Sequence, residues 1–258
     1  MIAQVLLIAA LAASVALSGA GLSTAGWAVG VTCGAITNAG LARGLSHYHS
    51  DRLGPANWVT LARATLAVGI AALVAGSFAH AVPVTMLTAL AAGALALDAV
   101  DGWVARRTRT AASLGAHFDA EVDAFLILVL SVYVARSAGA WVLAIGAARY
   151  VFLAAGWMIV WMRAPLPRRD WRKVVAATQG VTLTVAAAGV LPLTLTRAGV
   201  AGALVLLVES FGRDVWWLWR HRPAGHGRAR AAATTRRQRR GGTGARIQGT
   251  SHSPRPNR

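Results

Sequence analysis

A chain of 258 residues that is 56% hydrophobic and only 14% charged cannot cover a water-soluble surface of its size, and its mean hydropathy of +0.52 excludes an ordinary soluble domain. Long apolar runs recur along most of its length, so the composition describes an all-α polytopic membrane bundle, because a chain in lipid must satisfy its own backbone hydrogen bonds. The net charge of +17 is unevenly placed: 12 of the 26 Lys and Arg lie between Arg213 and Arg258, and five of the nine acids lie between Asp98 and Asp123.

In chain order, eight apolar runs have the length that a hydrocarbon core of about 30 Å demands. They cover roughly 2–18, 22–42, 58–79, 82–103, 116–135, 138–162, 173–195 and 198–219. Residues 16–20 loosely resemble a signal-peptide cleavage site. No basic residue precedes that first apolar run, so it is read as a span. The single cysteine, Cys33, lies inside the second run; it excludes an intramolecular disulfide and is read as a small packing residue. Tryptophans such as Trp58, Trp103, Trp141 and Trp171 sit near run ends, where interfacial anchoring explains them.

Basic residues orient the bundle. Arg43 and Arg52 follow the second run, Arg106, Arg107 and Arg109 the fourth, and Arg163, Arg168, Arg169, Arg172 and Lys173 the sixth; the opposite loops offer only Arg136 and Arg197. This places the first set, both termini and the basic tail in the cytoplasm. The tail, 223–258, is rich in Arg, Gly, Thr, Ser and Pro and reads as disordered. Anionic lipid headgroups are its expected partner. Nucleic acid is disfavoured, because no aromatic residue is interleaved to stack on bases.

The acids carry the chemistry. Asp98 and Asp101 are three apart, and Asp119 and Asp123 are four apart, so each pair shares one face of a helix. The short linker between the pairs makes the two helices antiparallel neighbours, and four carboxylates then converge on one cleft at the cytoplasmic end. Carboxylates at membrane depth are costly and are functional candidates by default. Their mutual repulsion calls for a cation. Oxygen ligands without His or Cys suit Mg²⁺ or Mn²⁺, and two such ions could clamp a pyrophosphate. Interhelical or surface salt bridges to Arg106, Arg107 and Arg109 are the plainer alternative, but they leave the small residues Gly102, Ala105 and Gly115 unexplained.

Asp98, Asp101, Gly102, Ala105, Arg106, Gly115, Asp119 and Asp123 together fit the pattern D-x-x-D-G-x-x-A-R-x8-G-x3-D-x3-D. The stretch resembles the signature of the CDP-alcohol phosphotransferase family at every fixed position. The resemblance implies a six-span core over residues 55–222, preceded by two additional spans and a loop over 1–54. It implies a reaction in which CMP is displaced from a CDP-alcohol, commonly CDP-diacylglycerol, by a small alcohol or phospholipid acceptor in phospholipid biosynthesis. By the same resemblance, Asp98, Asp101, Asp119 and Asp123 bind two divalent ions, and Asp123 is also the general base. Gly102, Ala105, Arg106 and Gly115 line the CDP pocket, and the protein is a homodimer. An integral protein of the plasma (inner) membrane, with its site on the cytoplasmic side, is the corresponding expectation.

Weaker signals surround the motif. Asn57, Thr60 and Arg63 recur at three-residue spacing in a segment that resembles the family's P-N-x-x-T-x-x-R opening, with Ala56 inserted after Pro55. They are candidate acceptor or headgroup contacts, or simply a helix cap and a snorkelling arginine. Arg149 lies mid-run and needs a partner: acceptor phosphate, Glu209 or a motif aspartate. Lys173, the only lysine, and Gln179 partly match a segment of phosphatidylglycerophosphate synthases, but Val175 and Ala176 depart from it, which leaves the acceptor open. Glu121 is expected to point away from Asp119 and Asp123. A local ion pair is expected between Glu209 and Arg213. Two further classes fit less well. A cation transporter would spread its carboxylates through the bilayer depth, and a scaffold working through its tail would not need an intact signature.

Overall fold

The computed structural model describes residues 23–47, 55–108, 113–163 and 170–221; the first apolar run, 2–18, and the basic tail, 223–258, lie outside the described residues. Every regular element among the described residues is helical. The helices are α1 (Thr24–His47), α2 (Pro55–Gly76), α3 (Val84–Thr108), α4 (Ser113–Ala138), α5 (Leu143–Met158), α6 (Asp170–Ala188) and α7 (Leu193–Arg220). Short 3₁₀ turns at Ala140–Val142 and Val160–Arg163 flank α5.

Prolines punctuate the chain where a helix can best accept them. Pro55 opens α2, where its missing N–H is one that no helical carbonyl would have received. Pro83 and Pro192 lie just before α3 and α7, and their carbonyls accept from Leu87 N (3.2 Å) and Thr196 N (3.0 Å). The seventh apolar run, expected over 173–195, is therefore shorter as a helix. It ends at Ala188, Gly189 takes a φ of 65°, and Pro192 caps the next helix. The sixth run, expected over 138–162, is interrupted in the same way at Gly139, whose φ of 118° turns the chain between α4 and α5.

The most deeply buried of the apolar helices is α2, which packs against α1, α3 and α4. Leu61, Ala64, Ala67, Val68, Ile70, Leu73 and Val74 are all buried along it. A helix apolar on all sides belongs in an interior. Among the described residues, three helical stretches are long and apolar enough to cross a membrane, and they differ in how much of each is covered. Val59–Gly76 is 67% buried, whereas Ala140–Met158 is 17% and Leu193–Arg220 is 28% buried. So α2 is an inner post, while α5 and α7 turn Val151, Leu153, Trp157, Val205 and Val208 outward, as helices facing lipid must. A fourth, shorter apolar stretch, Val84–Val100, precedes the acids of α3.

Close approach depends on small residues. At Gly146 of α5, a Cβ would lie 2.6 Å from the Cα of Leu128 in α4, so only glycine allows this crossing. Polar ties fix the two ends. At one end, Arg136 donates to Ser77 Oγ (2.7 Å) and Arg197 Nε to the Ala138 carbonyl (3.2 Å). At the other, Arg172 grips the buried Asp214 with two contacts, Nη2 to Oδ1 at 2.9 Å and Nε to Oδ2 at 2.8 Å, joining α6 to α7. Between them, the buried Gln179 donates to the Ala203 carbonyl at 2.7 Å. This up-and-down connectivity brings the start of α2, the end of α3 and the start of α4 to one end of the bundle.

Candidate active site

Arg63 is eight residues beyond Pro55, roughly 12 Å into α2 at 1.5 Å per residue. Its side chain is 1% exposed, so it does not snorkel to the surface; its guanidinium meets carboxylates from both neighbouring helices. Nη1 lies 3.0 Å from Asp98 Oδ1 on α3. Nη1 also donates to Asp119 Oδ1, and Nη2 donates to Asp123 Oδ1, both on α4. Three carboxylates from two helices thus converge on one buried guanidinium; among the described residues α3 and α4 are not the directly packed neighbours that the short linker predicts, because each lies against α2 and α6 instead. Thr60, one turn earlier on the same face, is buried as well.

The cluster has two sides. Arg63 closes it from the core, whereas the side chains of Asp98, Asp119 and Asp123 keep 36%, 31% and 31% of their exposure. One ligand oxygen from each of the three lies within 4.8 Å of the others. Three carboxylates and one guanidinium leave a net charge of −2. Hard oxygen donors this close together, with uncompensated negative charge and an accessible outer side, fit a hard metal cation.

Helical spacing also holds for the rest of the motif. Asp101 lies on α3 one turn after Asp98, and Gly102, partly exposed, follows it. The side chains of Asn57, Asp101, Ala105, Arg106 and Gly115 lie outside the described residues. Glu121 turns away from Asp119 and Asp123, as the helix period requires, and accepts from Arg149 Nη2 on α5. Glu209 pairs with Arg213 one turn later. Lys173 is exposed near the start of α6.

Three of these relationships differ from the sequence expectation or go beyond it, and in the first Arg149 pairs with Glu121 rather than with Glu209 or a motif aspartate. Arg172 was explained there by topology alone, yet it grips Asp214; an acid with no assigned partner near the end of an apolar span was the available signal. Arg63 was one of three candidates on a helix face, and nothing local indicated which neighbours that face would meet.

No curated relative and no solved structure matches the chain. The family model described as CDP-alcohol phosphatidyltransferase matches residues 53–211, a stretch that begins just before α2, ends within α7 and contains the whole carboxylate cluster. Since this is more than half of the sequence, the chain belongs to the CDP-alcohol phosphatidyltransferase family.

Proposed function

We infer that the protein is an integral-membrane enzyme that moves a phosphatidyl or related substituted phosphate group from a CDP-alcohol to an acceptor alcohol, releasing CMP. CDP-diacylglycerol is the donor we favour. The observation that carries this reading is the convergence of Asp98, Asp119 and Asp123 from two antiparallel helices, inside a stretch that matches the family.

In the proposed reaction the acceptor hydroxyl oxygen attacks the phosphorus that bears the lipid. The new P–O bond forms as the bond to CMP breaks, and CMP leaves with the bonding electrons. Asp123 takes the hydroxyl proton, with Asp98, Asp101 and Asp119 completing the set of metal ligands. Two Mg²⁺ or Mn²⁺ ions held by these four residues would supply charge neutralisation at the pyrophosphate. Gly102, Ala105, Arg106 and Gly115 form the CDP pocket: the small residues let the nucleotide approach α3 and α4, and Arg106 faces phosphate oxygens.

Acceptor contacts are assigned to Asn57, Thr60, Arg149 and Lys173, which lie on α2, α5 and α6. Arg63 is buried behind the aspartates, and that position favours a role with them over one with the acceptor. The site faces the cytoplasm of a plasma (inner) membrane, with the basic tail on anionic lipid and the protein a homodimer.

Purified protein in liposomes with CDP-diacylglycerol tests the reading. Offered glycerol phosphate, inositol phosphate, serine and phosphatidylglycerol in turn, it should release CMP with one of them. Silence with all four would exclude the common reactions of the family.

A further inference from the structure

The guanidinium of Arg63 and a divalent cation bid for the same three carboxylates. Arg63 engages one oxygen on each of Asp98, Asp119 and Asp123, and these three residues are also the cluster able to offer oxygens to a metal. A cation held by all three binds carboxylates whose Oδ1 atoms already face the guanidinium, so it meets both the positive charge of Arg63 and, at those atoms, a competing donor.

The arrangement also differs from an ordinary buried ion pair. A structural arginine in a core is normally matched in charge and has its N–H groups satisfied. Here two nitrogens serve three carboxylates, and the buried Nε has no acceptor. Charge is left over on the carboxylates, and a donor is left over on the arginine. Because Arg63 is 1% exposed, it is confined to the inner side of the cluster, while the outer side stays open to a solvent-borne ion.

We propose that Arg63 is the resident counter-ion of the metal centre, a positioning residue that holds the three carboxylates together and, by occupying one oxygen of each, lowers their affinity for divalent cation. This rests on the reading of Asp98, Asp119 and Asp123 as metal ligands. Two effects with opposite signs follow. Removing the positive charge leaves three carboxylates repelling one another, which weakens the fold when no divalent cation is supplied. The same removal strengthens cation binding, because a competing donor and a repelling charge have both gone.

The test is Mn²⁺ binding to the detergent-purified full chain, followed by the loss of the free Mn²⁺ electron-paramagnetic-resonance signal, with thermal unfolding measured in parallel. Wild type, Arg63→Gln, Arg63→Lys and Asp98→Asn are compared. Arg63→Gln should bind Mn²⁺ roughly tenfold more tightly than wild type, and Mn²⁺ should raise its Tm by more. Arg63→Lys, which keeps the charge but cannot bridge three carboxylates, should fall between them. Should Arg63→Gln fail to fold, the affinity of Arg63→Lys decides: tighter than wild type supports the proposal, and equal or weaker overturns it. Arg63→Gln binding Mn²⁺ no more tightly than wild type overturns it while leaving the metal site standing. Wild type binding no more Mn²⁺ than Asp98→Asn overturns the metal reading itself.

Discussion

Arg63 Nη2 donates to Asp123 Oδ1 across a sequence separation of 60 residues, tying the innermost helix of the bundle to the helix that carries half of the acidic motif. The contact matters because α2 is otherwise apolar and buried. One charged group in such a helix sets the rotation of α2 against α3 and α4, since a turn about its axis would strand a guanidinium in the core. Both aspartates of α4 therefore face the place where Asp98 arrives from α3.

Asp98 and Asp119 are expected to be individually indispensable to turnover. Converting either to Asn removes a charged ligand from a three-carboxylate set, and CMP release should fall by at least about 10²-fold, the scale on which one electrostatic contributor acts. Activity measured across a range of Mn²⁺ should recover partly at high Mn²⁺ if ligation is what was lost.

Glu121 should behave differently, although it sits between Asp119 and Asp123 in sequence. Its partner is Arg149, and both side chains are partly exposed, so the pair is worth no more than about 1 kcal/mol. Glu121→Gln should keep CMP release within about threefold of wild type. A loss as large as that from Asp119→Asn would mean that the face of α4 has been misassigned.

Gly146→Ala should destabilise the protein by about 1–3 kcal/mol, because its Cβ would meet the Leu128 Cα at 2.6 Å and backbone cannot yield cheaply. Gly156→Ala in the same helix is the control. Nothing lies within 4 Å of a Cβ at that position, and gained helix propensity should stabilise it by up to about 1 kcal/mol. Thermal unfolding in detergent of the two variants should move in opposite directions.

The Arg172–Asp214 pair should act as one unit. Asp214 is buried, and losing its partner leaves a carboxylate without its charge-assisted hydrogen bond from Arg172 Nη2 and the close Nε contact. Arg172→Ala should cost about 2 kcal/mol, a typical figure for hydrogen bonds to charged groups. The double variant Arg172→Ala, Asp214→Ala should be less destabilised than the sum of the single ones. Strict additivity in unfolding measurements would show that the contact contributes nothing.

The motif was legible in the sequence because chemistry constrains its spacing: Asp98 to Asp101 and Asp119 to Asp123 are helical repeats; the direct packing expected between their helices is absent among the described residues, and both lie against α2 and α6 instead. Helix content was legible for the same kind of reason, since lipid leaves a chain few alternatives. Helix ends were read less well. A hydropathy run does not register that Gly189 and Pro192 break α6 from α7, because the residues around them are as apolar as the helices. Arg63 was the least legible element. The repeat of Asn57, Thr60 and Arg63 marks a face, but the partners of that face lie 35 to 60 residues away, and only packing decides which helix is central.

The central claim is that Asp123 takes the acceptor proton in a metal-dependent displacement of CMP. It is tested most directly by following CMP release from CDP-diacylglycerol in liposomes that contain a productive acceptor, for wild type and Asp123→Asn, with Mg²⁺ and after chelation. Wild type should release CMP only with divalent cation, and Asp123→Asn should be slower by about 10²–10⁴-fold, the usual contribution of a general base. Release that persists after chelation, or Asp123→Asn turning over at the wild-type rate, would contradict the account.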